Sequence, residues 1–337
     1  MIREAIQQLQ KKQDLNSAQM EAVMEEIMTG TVDTPEIVSF LIALEDKGQS
    51  VEEITAAVLV MRRHVRKVPV VEGVILDTCG TGGDQKGIFN VSTAVALVAS
   101  GCNIRVAKHG NRSVSSRSGS ADILEALGVN LNLSPERLSG SLKDIGIAFL
   151  FAQNLHPAMK YAMPARKQIA RKTIFNILGP LTNPAGARHQ LVGVYEKSWV
   201  KKIAHVLSRV GAVHALVVHG EDGLDEVSTT AATQVAEVHD GKISSYLITP
   251  EEFGFTRARI EDLRGGSARE NAAVLLDILK GQSGCLRDLV VFNAACAIYA
   301  ADRAPCVKEG IQLAEEAIDS GKALKKLELL KEYSQRV

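Results

Sequence analysis

The run Asp77-Thr78-Cys79-Gly80-Thr81-Gly82-Gly83-Asp84 follows the apolar residues Val74-Ile75-Leu76 and precedes an apolar stretch of helical period. Strand, glycine-rich turn and helix in that order suit an anion. Three glycines within four positions let the backbone turn tightly and aim several N–H groups at one negative charge. Such a loop also serves simply to join a strand to a helix. Beyond it, Asn90-Val91-Ser92-Thr93 places Asn90 or Ser92 at a helix start. Unpaired N–H groups and the dipole favour phosphate there, and hydroxyls can reach phosphate or a metal. Capping alone would account for Ser92 and Thr93, but not for the glycines upstream.

A second stretch, Lys108-His109-Gly110-Asn111-Arg112-Ser113-Val114-Ser115-Ser116-Arg117-Ser118-Gly119-Ser120, holds three fixed cations, a histidine and five serines. It reads as a donor-rich loop for a polyphosphate, or as a solvated surface loop. His109 suits binding or structural hydrogen bonding rather than acid–base work. In Met163-Pro164-Ala165-Arg166-Lys167-Gln168, Arg166 can hold a carboxylate with two bonds, or be a plain surface charge. The following Asn176-Ile177-Leu178-Gly179-Pro180-Leu181-Thr182-Asn183-Pro184 offers a rigid Gly179-Pro180 wall beside it. Asp225 and Glu226 are adjacent acids after a strand, able to share magnesium on phosphate oxygens or to lie on the surface. No cysteine–histidine pair, glycine–x–serine–x–glycine elbow or metal-spaced histidine cluster occurs, so the chemistry must run on positioning and charge stabilisation. The third glycine of a dinucleotide fingerprint is replaced by Gln85, which disfavours a nicotinamide cofactor.

These residues need a scaffold that gathers strand ends. Residues 1 to about 67 carry helix signals only: a periodic Met20, Val23, Met24, Ile27 after Ser17, an N-cap at Thr34 before Pro35, and a capping box Ser50 to Glu53. Val68-Pro69-Val70 breaks the pattern. From Val74 onward, strands at Val74–Leu76, Ile104–Ala107, Ile145–Phe151, Gln190–Tyr195 and Val213–His219 alternate with helix-length segments, and the chain is helical again from Ala268. That alternation predicts an α/β fold: a small all-helical N-terminal domain, and a larger α/β domain with a mainly parallel central sheet flanked by helices. The expected boundaries are 1–70, joined by part of 163–187, and 71–337. Ligands then collect where loops leave the carboxyl ends of the strands.

The chain has 337 residues, is 46% hydrophobic and balances 39 Lys plus Arg against 39 Asp plus Glu. No global field exists to hold nucleic acid or an acidic membrane. Five scattered cysteines read as free thiols in a reducing compartment. The charged N-terminus lacks a signal-peptide core, and no stretch approaches the about 18 uncharged apolar residues that span a bilayer, so a cytoplasmic location is expected.

The combined order of these motifs, over nearly the whole chain, resembles the anthranilate phosphoribosyltransferases, enzymes of the second step of tryptophan synthesis. The resemblance rests on Gly80 to Asp84, Asn90 to Thr93, Lys108 to Arg112, Ser118 to Asp122, Asn176 to Pro184 and Asp225-Glu226. It implies a helical domain that forms a homodimer, and an α/β domain similar to that of pyrimidine nucleoside phosphorylases. Gly80, Gly83, Asp84, Asn90, Val91, Ser92, Thr93, Lys108 and Ser120 would then contact 5-phosphoribosyl 1-diphosphate. Gly80, His109, Asn111, Arg166 and Pro180 would contact anthranilate, and Ser92, Asp225 and Glu226 would serve two magnesium ions per subunit. Ile88 departs from the pattern, since relatives often carry serine or threonine there. Two alternatives share the architecture: a pyrimidine nucleoside phosphorylase, whose second loop resembles lysine–x–serine–glycine, and a non-catalytic nucleic-acid-binding relative, which zero net charge disfavours.

Overall fold

The structure, a computed structural model, describes residues 1–69, 72–113 and 117–336. The expected domain boundary at Val70 and Val71, and Val114, Ser115 and Ser116 of the second loop, lie outside the described residues.

Four helices open the chain: α1 (Ile2–Gln10), α2 (Ser17–Thr29), α3 (Thr34–Lys47) and α4 (Val51–His64). The Ser50–Glu53 capping box forms as expected at α4. The cap of α3 is Asp33, one residue before Thr34, because its carboxylate accepts the Glu36 N–H. Asn16 caps α2 in a reciprocal box with Gln19.

The α/β part begins with β1 (Ile75–Gly80), α5 (Val91–Gly101), β2 (Arg105–Gly110), α6 (Ser120–Ala126), α7 (Pro135–Asp144) and β3 (Ile147–Phe151). Next come α8 (Ala152–Leu155), α9 (Met159–Ile169), α10 (Phe175–Leu178), a 3-10 turn at Gly179–Leu181, β4 (His189–Gly193), α11 (Ser198–Arg209) and β5 (His214–Gly220). Then follow β6 (Thr233–His239), β7 (Lys242–Ile248), α12 (Ala268–Leu279), α13 (Cys285–Ala300), α14 (Val307–Asp319) and α15 (Lys322–Gln335).

The strands form one sheet in the order β3-β2-β1-β4-β5-β6-β7. The first five in that order are parallel, while β6 and β7 add an antiparallel hairpin beyond the five expected strands. Strand alternation divides the core. Leu191, Leu216, Val218 and Val235 face a layer made by α5, α6 and α12 to α15. Val192, Ala215, Val217 and Ala236 face α11, and that core runs without a break into α1 to α4. Helix α9 crosses back onto α2 and α3, burying Ala162 and Ala165 in the same core. Pro164 lies inside α9, where it removes one backbone donor. The chain reverses its direction of growth between β1 and β4, the place where such sheets open a crevice at their carboxyl edge.

Candidate active site

Strands β1, β2, β4 and β5 all end in glycine, at Gly80, Gly110, Gly193 and Gly220. Strand β1 runs four residues further than expected and β2 three, so Asp77 to Gly80 and Lys108 to Gly110 belong to the sheet rather than to the loops. Their polar side chains are buried because they bind one another. Asp77 accepts the His109 N–H (3.0 Å) and the Asn183 amide (2.8 Å). Asn183 also donates to the Ala107 carbonyl at 2.8 Å, tying β1, β2 and the segment before β4 together. Burial raises the Asp77 carboxyl pKa, opposed by Asn183 and the nearby Lys108 ammonium.

Lys108 is buried, and its Nζ donates to the Thr78 carbonyl (2.6 Å) and to Ser92 Oγ (3.0 Å). It therefore lies beneath the first turn of α5, not out in a flexible loop. Burial lowers its pKa, against the pull of Asp77 and Glu226. Asn90 occupies the N-cap of α5, its Oδ1 accepting from the Thr93 hydroxyl, with Val91 and Ser92 as the first helical residues.

The glycine turn bends through left-handed backbone at Gly82 (φ 63°), Gly83 (φ 80°) and Gln85 (φ 58°), a shape that points amides to one side. Asp225 seats on it: its Oδ2 accepts the Gly82 N–H at 2.8 Å. A Cβ on Gly80 would lie 2.7 Å from that same oxygen, so glycine is what lets the acid approach. Gly193, the register partner of Gly80, is tighter still, since a Cβ there would fall 1.6 Å from the Asp225 carbonyl oxygen. The loop carrying the acids is also pinned from behind, where the Asn293 amide accepts the Val227 N–H (2.8 Å) and donates to its carbonyl (2.7 Å).

Three acids meet here. Burial pushes Asp225 up to about 7, with the Asp84 charge adding to the rise. Glu226 is raised well above its ordinary value by burial, then by Asp225, against Lys108. Asp84 is raised by burial, and its Oδ2 is buried without a hydrogen-bond partner. Three crowded carboxyls, an orphaned oxygen and the Ser92 hydroxyl form a hard-oxygen set whose electrostatic cost a divalent cation would relieve. The residues fit magnesium. Lys172, which no sequence motif marks, adds a cation: its Cε would lie 3.3 Å from a Cβ on Gly83, and its Nζ stands 3.4 Å from the Tyr195 ring centroid.

The second loop is less basic than its composition suggests. Arg112 is held by Asp122 and Glu125, which raise its pKa, so its charge is spent within the protein. Ser120 Oγ donates to the Asn111 carbonyl at 3.3 Å, and the exposed Asn111 side chain accepts from the Arg112 N–H. His109 is buried between Gly179 and His156. The Gly179 carbonyl can only accept, so His109 Nδ1 carries the proton (3.1 Å), and His109 Nε2 accepts from His156 Nε2 (3.1 Å). Burial drives His109 down to about 3 and His156 down to about 4, keeping both rings neutral. Pro180 is buried beside them, its carbonyl accepting from Gln190 at 2.8 Å.

Arg166 lies half-buried on α9, with its guanidinium 5.7 Å from the Phe175 ring centroid. Its Nη1 contacts Met163 Sδ at 3.8 Å, no carboxylate among the described residues pairs with it, and burial lowers its pKa. Ile88 packs its side chain against the main core and bridges to Arg264, which accounts for an apolar residue there.

Residues 72–324 match the α/β domain of a glycosyl transferase family, and residues 3–65 match that family's helical bundle domain. The anthranilate phosphoribosyltransferase of Petrotoga mobilis is 48% identical over 329 residues, covering 98% of this chain and 96% of that one. The chain belongs to the anthranilate phosphoribosyltransferase family. Solved structures of this family superpose closely. The Thermus thermophilus enzyme gives a TM-score of 0.94 at 42% identity, covering 98% of this chain and 99% of that one. The Saccharomyces cerevisiae enzyme in complex with PRPP and Mg gives 0.91 at 28% identity, covering 100% and 98%. No helix among the described residues of this family member is long and apolar enough to cross a membrane.

Proposed function

We propose that the chain transfers the phosphoribosyl group of 5-phosphoribosyl 1-diphosphate to the amine of anthranilate, giving N-(5-phosphoribosyl)anthranilate and diphosphate. The observation that carries this reading is the half-buried acid set Asp84, Asp225 and Glu226 seated on a glycine turn, with Lys108 and the start of α5 beside it. Gly80, Gly83, Asn90, Val91, Ser92, Thr93, Lys108 and Ser120 are assigned to the sugar diphosphate. Ser92, Asp84, Asp225 and Glu226 are assigned to magnesium, two ions per subunit, and when bound the metal supplies charge neutralisation at the leaving diphosphate.

The chain's own residues hold the donor in place. Amides of the glycine turn and the N-terminus of α5 face the diphosphate, and they are fixed before reaction, so little reorganisation is needed as charge builds on the leaving group. Arg166, which pairs with no carboxylate among the described residues, is assigned to the acceptor carboxylate, with Asn111, Gly80 and the neutral His109–Pro180 wall around the aromatic ring. An arylamine is uncharged and nucleophilic at neutral pH, so attack on the anomeric carbon requires no strong base. Alignment of donor and acceptor supplies a large share of the rate, up to roughly 7–11 kcal/mol. The neutral imidazoles keep the acceptor wall free of a charge that would repel Arg166.

The helical module, α1 to α4 with α9, is proposed to pair two copies into a homodimer in the cytoplasm, and light scattering after size exclusion tests the pairing. The activity is tested by loss of anthranilate fluorescence on mixing with the sugar diphosphate and magnesium. Loss that needs all three components supports the assignment; undiminished fluorescence refutes it.

A further inference from the structure

We propose that His214, His239 and Asp302 form a second metal site, for a divalent ion of the zinc, cobalt or nickel class, independent of the transfer reaction. His214 opens β5, His239 closes β6 and is its register partner, and Asp302 follows α13. One ligand atom from each residue lies within 4.8 Å of the others. Strand β5 has seven residues, so its amino end stands about 20 Å from the carboxyl edge where the diphosphate turn lies. The two sites share no residue.

The support around His214 is that of an oriented ligand. Its side chain is fully buried, and its Nε2 donates to Glu237 Oε1 at 3.1 Å. Glu237 is itself fixed by the hydroxyls of Tyr246 (2.8 Å) and Tyr299 (2.7 Å). With Nε2 committed to a carboxylate, Nδ1 is the atom left to face Asp302 Oδ1, at 2.6 Å. Two electron-rich atoms so close must share a cation, a proton in the metal-free chain and a metal in the loaded one. Carboxylate-held histidines of this kind fix ring orientation and raise ligand basicity at metal centres.

The other two ligands can adjust. Asp302 and His239 are 42% and 48% exposed, which gives an ion a path in. Among the described residues the His239 ring makes no hydrogen bond within normal distance; it stacks on His214 at 4.1 Å, with Nε2 at 4.0 Å from Asp302 Oδ1 and 3.9 Å from Asp240 Oδ2, and Nδ1 at 4.0 Å from Glu237 Oε1. In a tetrahedral site with bonds of about 2.0–2.1 Å, ligand atoms stand about 3.3 Å apart. The two rings lie face to face (interplanar angle 3°), so a bound ion requires His239 to rotate about its Cβ–Cγ bond and Asp302 to draw back from His214. His189 is not a ligand, because its Nδ1 donates to the Ala300 carbonyl at 2.9 Å. Two imidazoles and one carboxylate select borderline ions over magnesium or calcium, and the fourth position is left to water.

The test is cobalt(II) titration of the chelator-treated full chain. The expected result is one ion per chain, with visible bands of a four- or five-coordinate site that zinc displaces and magnesium does not. His239→Gln and Asp302→Asn alter exposed side chains and should keep the wild-type circular dichroism. They should abolish the bands, while Glu237→Gln weakens binding by about 10–100-fold. Absence of the bands in the wild type, or bands that persist in folded His239→Gln, would overturn the proposal.

Discussion

Replacing Gly193 by alanine tests how the acids are placed without changing any of their side chains. Gly193 lies in β4 with φ outside the left-handed region, so alanine meets no backbone penalty there. The effect is steric. The new Cβ would lie 1.6 Å from the Asp225 carbonyl oxygen, and real Cβ contacts essentially never fall under 3.0 Å, so that oxygen must retreat by ~1.4 Å. Because the obstacle is backbone, the whole Asp225–Glu226 segment moves, and Asp225 leaves the Gly82 N–H it holds at 2.8 Å. A misplacement of about 1 Å costs roughly 100-fold in rate, or about 2.7 kcal/mol of barrier. Overpacking costs about 1–3 kcal/mol of stability, small enough that the variant should remain folded. Steady-state loss of anthranilate fluorescence, with thermal melts as control, should show kcat/KM for the sugar diphosphate down by about 100-fold. Gly80→Ala should cost less, because its Cβ meets the tip of a side chain, 2.7 Å away, rather than backbone. A folded Gly193→Ala enzyme with wild-type turnover would refute the reasoning.

Three further outcomes are expected. Asp225→Asn combined with Glu226→Gln should lower turnover at saturating donor and flatten its dependence on magnesium; turnover that still follows magnesium as in the wild type would remove both acids from the metal. Arg166→Ala should raise the anthranilate KM by about 10–100-fold, from the ~1.5–3 kcal/mol of a hydrogen bond to a charged group, with little change in the donor KM; an unchanged acceptor KM would take Arg166 out of the site. His109 and His156 are held down to about 3 and about 4 in the folded chain, so below pH ~6.5 the unfolded chain binds their protons first and stability falls with falling pH. His156→Asn should remove about one proton from that slope, ~1.4 kcal/mol per pH unit between pH 6 and 4, in urea titrations across pH.

The site was legible in the sequence where glycine, charge and hydroxyl residues broke the apolar texture, as at Gly80 to Asp84 and Asp225-Glu226. It was not legible where polar residues continue a strand. Asp77, Thr78, Lys108 and His109 read as loop because their burial depends on partners far along the chain, such as Asn183. Gly193, Asn293 and His156 were missed for the same reason: each acts through a contact that exists only after folding. The β6–β7 hairpin did leave a signal, Asp240-Gly241 between alternating runs, with both residues at positive φ. The polar Ser244 and Ser245 of β7 obscured it, since that edge strand faces solvent. Arg112 shows the converse, a cation whose composition suggested phosphate but whose charge Asp122 and Glu125 already take.

The central claim is that the glycine turn and the half-buried acids hold one sugar diphosphate together with magnesium. Calorimetric titration of 5-phosphoribosyl 1-diphosphate into the wild-type chain, with and without magnesium, tests it most directly when repeated on the Asp225→Asn, Glu226→Gln variant. Binding should be strengthened by magnesium in the wild type, and that strengthening should vanish in the variant. Equal affinity in all four titrations would contradict it.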